Sequence, residues 1–548
     1  MANVAWAFAT AGQEAPALFE ALAQAASHHL SQFNPQGLSN LAWAFAKAQH
    51  DTPELFEAIA REATKHMSKF QPQGLANLAW AFAKARHHAP VLFEALAKEA
   101  VVQAHNFNAH ELAGTALAFA IMAFEAFSDE DPGDNEIAGE ISPGIANLFE
   151  SLRVEACRRV NEFQPQDFRS FAWSYELVRL LDDDLQNHLA EAYSRLGKIR
   201  DSQSIANKRG CIEESEQGFN PSRPFQLYDK PLILSEDEHW MALYKPPRWL
   251  TRTRTDLEEA GNIGAEEKIQ ADDQEDILQP LVNHKQPQIN DWIRENHVFP
   301  IFTDPTESNG LLHRLDEETS GVLLCAKSYV GACWLRLQWC VNAVEKEYVC
   351  LVHGWVDRSV CDIRKRIRVD KIWGENSLQS SVCSSGYPAR TELATLAYLV
   401  KPKLQTEAEY EPDPCSKGST GSAHEDCYSL VAVKLHTGRT HQIRVHMLSL
   451  GHPLVCDTKY TKARYAADSM WCKRNFLHTY HLGFEAASED QASKGGPVSI
   501  MCPLPQDLCN ALGSLRPVDD RSAKLHADFM SADTARIPEF DTHAHEAI

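Results

Sequence analysis

Residues 310–328 read GLLHRLDEETSGVLLCAKS, and the assignment of the whole C-terminal half rests on them. Leu311 and Leu312 are apolar, as is the run Val322-Leu323-Leu324-Cys325-Ala326 that follows Gly321. Between them stand His313, Arg314, Leu315, Asp316, Glu317, Glu318, Thr319 and Ser320. The pattern predicts two buried strands bracketing a charged loop. Charge set between core strands is costly unless the loop lines a cleft. Asp316, close to Arg314, is then a candidate nucleophile or acid–base group.

Outward from this stretch the chain is rich in short β-type runs. PLILSEDEHWMALYKPP, residues 231–247, reads as strand, turn, strand and ends in Lys245-Pro246-Pro247. EKEYVCLVHG, residues 345–354, reads as a further strand. TGRTHQIRVHMLSLG, residues 437–451, reads as a short helix ending at Gly451, with Pro453 beyond. Residues 252–310 are polar and acidic, and read as a surface excursion.

Taken in order, these pieces resemble the RluA-type RNA pseudouridine synthases. His313-Arg314-Leu315-Asp316 through Gly321 matches that family's HRLDxxTSG signature. Lys346-Glu347-Tyr348 resembles its KxY strand, and Leu435 to His446 its LxTGRTHQIRVHL motif. Gly451-His452-Pro453-Leu454 with Asp457 and Tyr460 is similar to GHPIxGDxxY. Leu477-His478 resembles the closing LHA, with Thr479 in place of alanine. The early KPP resembles KPxG, but Arg248 stands where glycine is expected. The resemblance spans residues 228–510. It implies an α+β pseudouridine synthase domain with a central, mainly antiparallel sheet.

The resemblance also implies the chemistry. Uridine becomes pseudouridine when C1′–N1 breaks, the base turns, and C1′ joins C5. Asp316 would be the carboxylate at C1′, by covalent attack or through a glycal; the sequence leaves both open. Arg444 would pair with it as a planar fork, bidentately, and keep it ionised. Tyr348 would stack on the uracil and assist removal of the C5 proton. Arg314 would fill the space left by the everted base, and Leu477 would pack beside it. His313, Lys245, Arg439 and Gln442 complete the expected substrate-binding set. Lys245 is expected to be structural or to meet a phosphate. His313, His441 and His446 are expected to hold loops by hydrogen bonds, and Thr319 and Ser320 to cap the catalytic loop. No cofactor is required, and neither a glycine-rich phosphate loop nor a metal-ligand motif is seen.

The N-terminal third repeats itself. Trp6, Trp43 and Trp80 recur every 37 residues, as do Phe33, Phe70 and Phe107. FNPQGLSNLAWAFAKA at 33–48 returns as FQPQGLANLAWAFAKA at 70–85 and as FQPQDFRSFAWSYELV at 163–178, after an acidic insertion near 128–143. A fixed period of this size means a stacked array, here an all-α array of helical hairpins over residues 1–195. Asn34 with Pro35, and Thr52 with Pro53, are expected to open the two helices of a unit. Trp43 and Trp80 are expected in the core. The units resemble octotricopeptide-type repeats, which implies RNA binding in organelles. Lys47, Lys69, Lys84 and Arg86 could form a basic strip, but residues 1–128 carry 7 Lys and Arg against 10 Asp and Glu. Met1 falls inside a repeat, so the array either lacks its usual cap or continues in a longer chain. Residues 196–227 read as a linker and 511–548 as a tail.

The chain has 548 residues and a net charge of −22, and it is multidomain by length alone. Acid concentrates at Asp129–Glu140 and Asp256–Asp276, while residues 340–480 hold 19 Lys and Arg against 15 Asp and Glu. An acidic total therefore does not exclude RNA. The 14 cysteines form no CxxC pair and read as reduced thiols of an intracellular protein. No apolar stretch is long enough to span a membrane, and no presequence is visible. The expected partner is ribosomal or transfer RNA, bound by a monomer. The expected compartment is mitochondrion or plastid, otherwise cytoplasm. Competing readings are a catalytically silent RNA-binding or assembly factor that uses its helical repeats, and a protein-interaction scaffold.

Overall fold

Proline starts most of the N-terminal helices, because it pre-sets φ and its missing N–H is no loss in the first turn. Pro35 opens α3 (Pro35–Lys47), with the Asn34 side chain accepting from Gly37 N at 2.7 Å. The structure, a computed structural model, describes residues 1–128 (except 14, 49 and 51), 142–205, 230–251, 286–371, 378–402 (except 385), 425–486 and 496–530. Two units divide the chain. The first holds Met1–Ser202 and the short segment Arg336–Val341; the second holds the remaining described residues.

In the first unit the leading helices pack in succession: α1 (Ala2–Ala11), α3, α5 (Pro72–Ala85), α7 (Ala109–Ser128) and α9 (Pro165–Leu177). The second helices form a parallel row: α2 (Pro16–Ser27), α4 (Pro53–Lys65), α6 (Pro90–Gln103) and α8 (Pro143–Arg159), with α10 (Asp183–Ile205) closing the last hairpin. Leu38, Leu41, Ala42 and Phe45 of α3 are buried, and so are Leu55, Phe56 and Ile59 of α4. Edge-to-face rings join each hairpin to the next, as Phe56 of α4 does on Phe82 of α5 at 5.1 Å between centroids.

Several expectations are corrected here. Trp43 and Trp80 are half-buried, not core; they stack at 5.9 Å, and Trp6, 46% exposed, continues the ladder at 6.4 Å. Alanine-rich helices approach too closely to hold an indole between them, so the ring lies along the seam. Thr52 precedes α4 but its hydroxyl caps nothing. Lys47 and Lys84 share the last turns of α3 and α5, whereas Lys69 follows α4 in a separate turn and Arg86 is a left-handed cap with φ 53°. α10 runs to Ile205, into the stretch read as linker. The acidic insertion of residues 129–141 lies outside the described residues.

The second unit is built on one large sheet, ordered β1 (Leu232–Glu236), β2 (Trp240–Lys245), β3 (Ser320–Ala326), β10 (Leu477–Glu485), β4 (Glu345–His353), β9 (Glu425–Leu435), β8 (Thr391–Pro402) and β12 (Arg516–Pro517). β11 (Pro497–Met501) adds to β10 and β5 (Asp362–Ile363) to β8. β6 (Ile367–Lys371) and β7 (Leu378–Val382) form a separate hairpin. The large sheet is antiparallel except where β3 meets β10. β4 is buried on both faces, so its alternation serves two cores. Tyr348, Cys350 and Val352 face one, with Ile443 and Met447 of the helix Gln442–Ser449; Val349 and Leu351 face the other, with Leu508 and Leu512 of the helix Gln506–Gly513.

Leu311 and Leu312 do not form the expected first strand. Gly310, at φ 81°, ends a tight turn, and only Leu311 bridges to β3, opposite Cys325. The surface excursion is also shorter than expected. Ile289 and Ile293 of the helix Ile289–Asn296, with Ile301 and Phe302, belong to the core, and residues 252–285 lie outside the described residues. Part of the expected tail is domain: β12 pairs with β8, and the helix Asp520–Met530 follows. No helix among the described residues is long and apolar enough to cross a membrane.

Candidate active site

The loop between Leu311 and β3 presents Asp316, whose side chain keeps 21% exposure. Its backbone is tied down on all sides. Lys245, at the end of β2, buries its ammonium under the loop and donates to the carbonyls of Asp316 at 3.0 Å, Glu317 at 3.0 Å and Thr319 at 2.7 Å. Thr251 Oγ1 donates to the Leu315 carbonyl at 3.0 Å. Arg248 N donates to the Glu317 carbonyl at 2.7 Å from a left-handed backbone, φ 68°. That conformation is why glycine is usual at this place in the resembling motif. His313 Nε2 accepts from Leu324 N at 3.0 Å and pins the loop's start to β3.

Arg444, on the first turns of the helix Gln442–Ser449, reaches this loop. Its Nη1 donates to Asp316 Oδ2 at 3.2 Å. The bidentate pair expected with Asp316 is made instead with Asp457: Nε to Oδ2 at 2.7 Å and Nη2 to Oδ1 at 2.6 Å. Asp457 is buried and also accepts from the backbone of Lys459 and Tyr460. Two of its five N–H groups are therefore spent on a fixed partner, and Asp316 receives one hydrogen bond, from Nη1. The Tyr460 ring lies under the guanidinium at 4.9 Å. Its hydroxyl accepts from Ser380 N and lies 2.8 Å from His441 Nδ1, while His441 Nε2 stands 3.9 Å from Asp316 Oδ2.

These neighbours decide the charge on Asp316. Burial pushes its carboxyl up, but His441, Arg444 and Arg314 together outweigh burial and hold it below the usual carboxylate range. Burial holds His441 itself down to about 4, so at neutral pH the two guanidiniums carry this effect. Tyr348, 7% exposed, is pushed up to about 12 by burial, and the Asp316 charge adds to the rise. The phenol is thus neutral at pH 7 and close enough to feel the carboxylate. Leu315, Tyr348 and Leu477 line one apolar cluster beside it. A carboxylate kept ionised and partly exposed beside an apolar cluster that includes a phenol ring has the chemistry to attack or deprotonate a sugar carbon.

The structure brings together Asp316, Tyr348, Arg444 and Leu477, with Arg314 exposed at the rim. Four of the expected substrate contacts have other work. Lys245 meets carbonyls, not a phosphate, because its ammonium is fully buried. Gln442 is enclosed: its amide donates to the Arg390 carbonyl and Thr391, while its oxygen accepts from Arg439 N and Thr437. Arg439 donates to the Pro388 carbonyl and lies over the Tyr387 ring. His313 is consumed by β3. Thr319 Oγ1 makes no hydrogen bond, and Ser320 Oγ turns to His478 Nδ1 at 2.9 Å, so neither caps the loop. His446 bridges Thr391 and the Lys365 carbonyl. Asp457 was legible only as a motif letter. Thr251 carried no signal, since it opens the acidic stretch.

Among the described residues, Glu345, Glu347 and His481 place ligand atoms within 4.8 Å of one another. Glu347 alternates with Tyr348 along β4 and so points away from Asp316. Each residue has a partner of its own: Glu347 Oε2 accepts from Tyr480 at 2.6 Å, His481 Nε2 lies 2.9 Å from Ser499 Oγ and Glu345 accepts from Lys434 at 3.3 Å, while His481 Nδ1 stands 3.2 Å from Glu347 Oε2.

Residues 301–449 match the RNA pseudouridylate synthase family, and residues 1–129 match the RNA-editing substrate-binding complex 6 protein family. The chain is similar to tRNA pseudouridine synthase C of Haemophilus ducreyi, 31% identical over 256 residues, 46% of this chain and 84% of that protein. It is similar to ribosomal large subunit pseudouridine synthase C of Pasteurella multocida, 30% identical over 209 residues, 38% of this chain and 54% of that protein. It is also similar to RNA pseudouridylate synthase domain-containing protein 1 of Mus musculus, 31% identical over 207 residues, 35% of this chain and 57% of that protein.

Proposed function

The chain belongs to the RNA pseudouridine synthases, and from that premise we propose that it isomerises a uridine of ribosomal or transfer RNA with Asp316 as the group that reaches C1′. The observation that carries the residue assignment is the single hydrogen bond from Arg444 Nη1 to Asp316 Oδ2 at 3.2 Å. It keeps the carboxylate charged while leaving Oδ1 without a claim from that guanidinium. Oδ1 then attacks C1′, or takes the C2′ proton on a glycal route. In either case C1′–N1 breaks and its electron pair stays on the uracil.

The freed base turns in the recess beside Leu477 and Tyr348. C5 bonds to C1′ as the Oδ1–C1′ bond breaks, or, on the glycal route, as Asp316 returns the proton to C2′; C5 then loses its proton and N1 ends with one, so the carboxylate is restored and the product is an isomer of the substrate. Tyr348 stacks on the base and relays the C5 proton; with its phenol near 12 it enters neutral. Arg314 fills the stack that the uridine leaves, which offsets part of an eversion cost of a few kcal/mol. The helical repeats hold the RNA to be modified, in a monomeric enzyme of an organelle or the cytoplasm.

The test is a pseudouridine map of RNA from cells that lack the chain and are resupplied with either the wild type or Asp316→Ala. Sites restored by the wild type and not by the variant support the proposal. Equal restoration removes Asp316 from the chemistry, and no restored site at all leaves the silent RNA-binding factor as the better account.

A further inference from the structure

Asp316 and Leu477 must keep a fixed separation if one reaches the sugar while the other flanks the base. Little backbone joins their carriers. β3 and β10 run parallel and pair only at Ser320 with His478 and Gly321 with Thr479. At Gly321, φ 125°, the Thr479 backbone comes so near that a Cβ would stand 2.2 Å from its carbonyl oxygen. Two residues of parallel pairing make a weak seam.

Arg474 spans that seam. It is 3% exposed, and no motif in the sequence singles it out. Nη1 donates to the Glu318 carbonyl on the catalytic loop at 2.9 Å, and Nη2 donates to Ser320 Oγ at the start of β3 at 2.8 Å. Nη1 also reaches the carbonyls of Asn475 at 3.4 Å and Leu477 at 3.5 Å, at the start of β10. Asp507, on the helix Gln506–Gly513, accepts from Nε at 2.7 Å and from Nη2 at 3.4 Å. A guanidinium presents its five N–H groups in one rigid plane, so fixing two of them fixes the rest. Asn475 N adds a bond to Glu318 Oε2 at 3.3 Å across the same gap.

We infer that Arg474, oriented by Asp507, is a positioning residue that sets the catalytic loop in register with the Leu477 end of β10. It touches no reacting atom. It acts through the placement of Asp316 relative to the base, and the inference rests on the reading of Asp316 given above. A displacement of about 1 Å between reacting groups is worth about 100-fold in rate. Arg474→Lys keeps the charge and loses the planar fork. Asp507→Asn keeps the shape and loses the charge that orients it.

The experiment uses the full chain and a synthetic RNA fragment carrying a uridine whose conversion is lost with Asp316→Ala. The expected result is a kcat lowered about 10- to 100-fold in Arg474→Lys and in Asp507→Asn, with KM changed by less than about threefold. The double variant should be no slower than Arg474→Lys alone, because the two act as one unit. A thermal melt accompanies each variant; if Arg474→Lys does not fold, the milder Asp507→Asn decides. Wild-type kcat in the folded variants, or a loss confined to KM, overturns the inference while Asp316 stands. If no uridine depends on Asp316, the catalytic reading itself has failed, which is a separate outcome.

Discussion

Asp457 holds two of the three guanidinium nitrogens of Arg444, at 2.7 and 2.6 Å, inside the protein. The consequence falls on Asp316, which receives one hydrogen bond rather than two. An arginine free to face Asp316 with its whole fork would engage both carboxylate oxygens and quieten the nucleophile. Asp457 thus serves the chemistry by limiting what Arg444 can do.

Asp457→Asn should therefore lower the single-turnover rate about 100-fold, a loss of roughly 3 kcal/mol in transition-state stabilisation. Asp457→Ala strands one side of a buried ion pair and should also destabilise the fold by about 3–5 kcal/mol. Asp316→Ala should abolish turnover with a much smaller stability change, because Arg444 keeps Asp457. Urea midpoints and rates on the same three proteins check this. A stability loss in Asp316→Ala as large as that in Asp457→Ala would refute it.

Tyr348 divides stacking from proton relay. Tyr348→Phe retains the ring in its apolar cluster and removes only the hydroxyl. RNA affinity should be unchanged, while pseudouridine formation should fall about 100- to 10,000-fold, the usual range for a lost proton-transfer group. Filter binding and tritium release from C5-labelled uridine in RNA separate the two. Undiminished release would show that the phenol takes no part.

Much of this site is readable along the chain, and the part that is not has a physical cause. Asp316 announces itself because charge set between apolar runs needs a reason, whereas Arg444 is legible only through the family resemblance. Lys245, Gln442 and His313 look equally functional, since a polar residue beside a motif gives no sign of which way it points. Folding turns all three inward onto backbone groups in need of partners: Lys245 onto the carbonyls of the catalytic loop, His313 onto the Leu324 amide of β3, and Gln442 onto the Arg390 carbonyl. The 37-residue period likewise gives the helical array, but not the depth of its tryptophans. Burial there depends on how closely the alanine faces approach, which periodicity does not encode.

Lys245 should govern the alkaline side of the pH profile. Burial, with the Arg474 guanidinium nearby, pulls its ammonium down to about 7. The protonated form serves the carbonyls of Pro246, Asp316, Glu317 and Thr319; a neutral amine has too few protons for them. Loop order, and with it kcat, should be full below pH 7 and decline as pH rises through the lysine's titration. The acid side should stay flat down to pH 5, because Asp316 is held below the usual carboxylate range. A single-turnover profile from pH 5 to 9 is the check. A rate that climbs through pH 7 and stays high would show that the loop does not need the ammonium.

Arg248 pays a conformational cost that the fold does not require. Its φ of 68° is left-handed, where a side chain costs about 1–2 kcal/mol. Its backbone N–H already makes the useful contact, with the Glu317 carbonyl at 2.7 Å. Arg248→Gly keeps that bond and removes the strain, but it adds about 0.4–1 kcal/mol of unfolded-state entropy to be lost on folding. The balance favours glycine by up to about 1.5 kcal/mol, visible as a higher urea midpoint at unchanged slope. Arg248→Ala removes the same side chain and keeps the strain, so it should show no such gain. If alanine stabilises as much as glycine, the effect comes from the lost guanidinium and the backbone account is wrong.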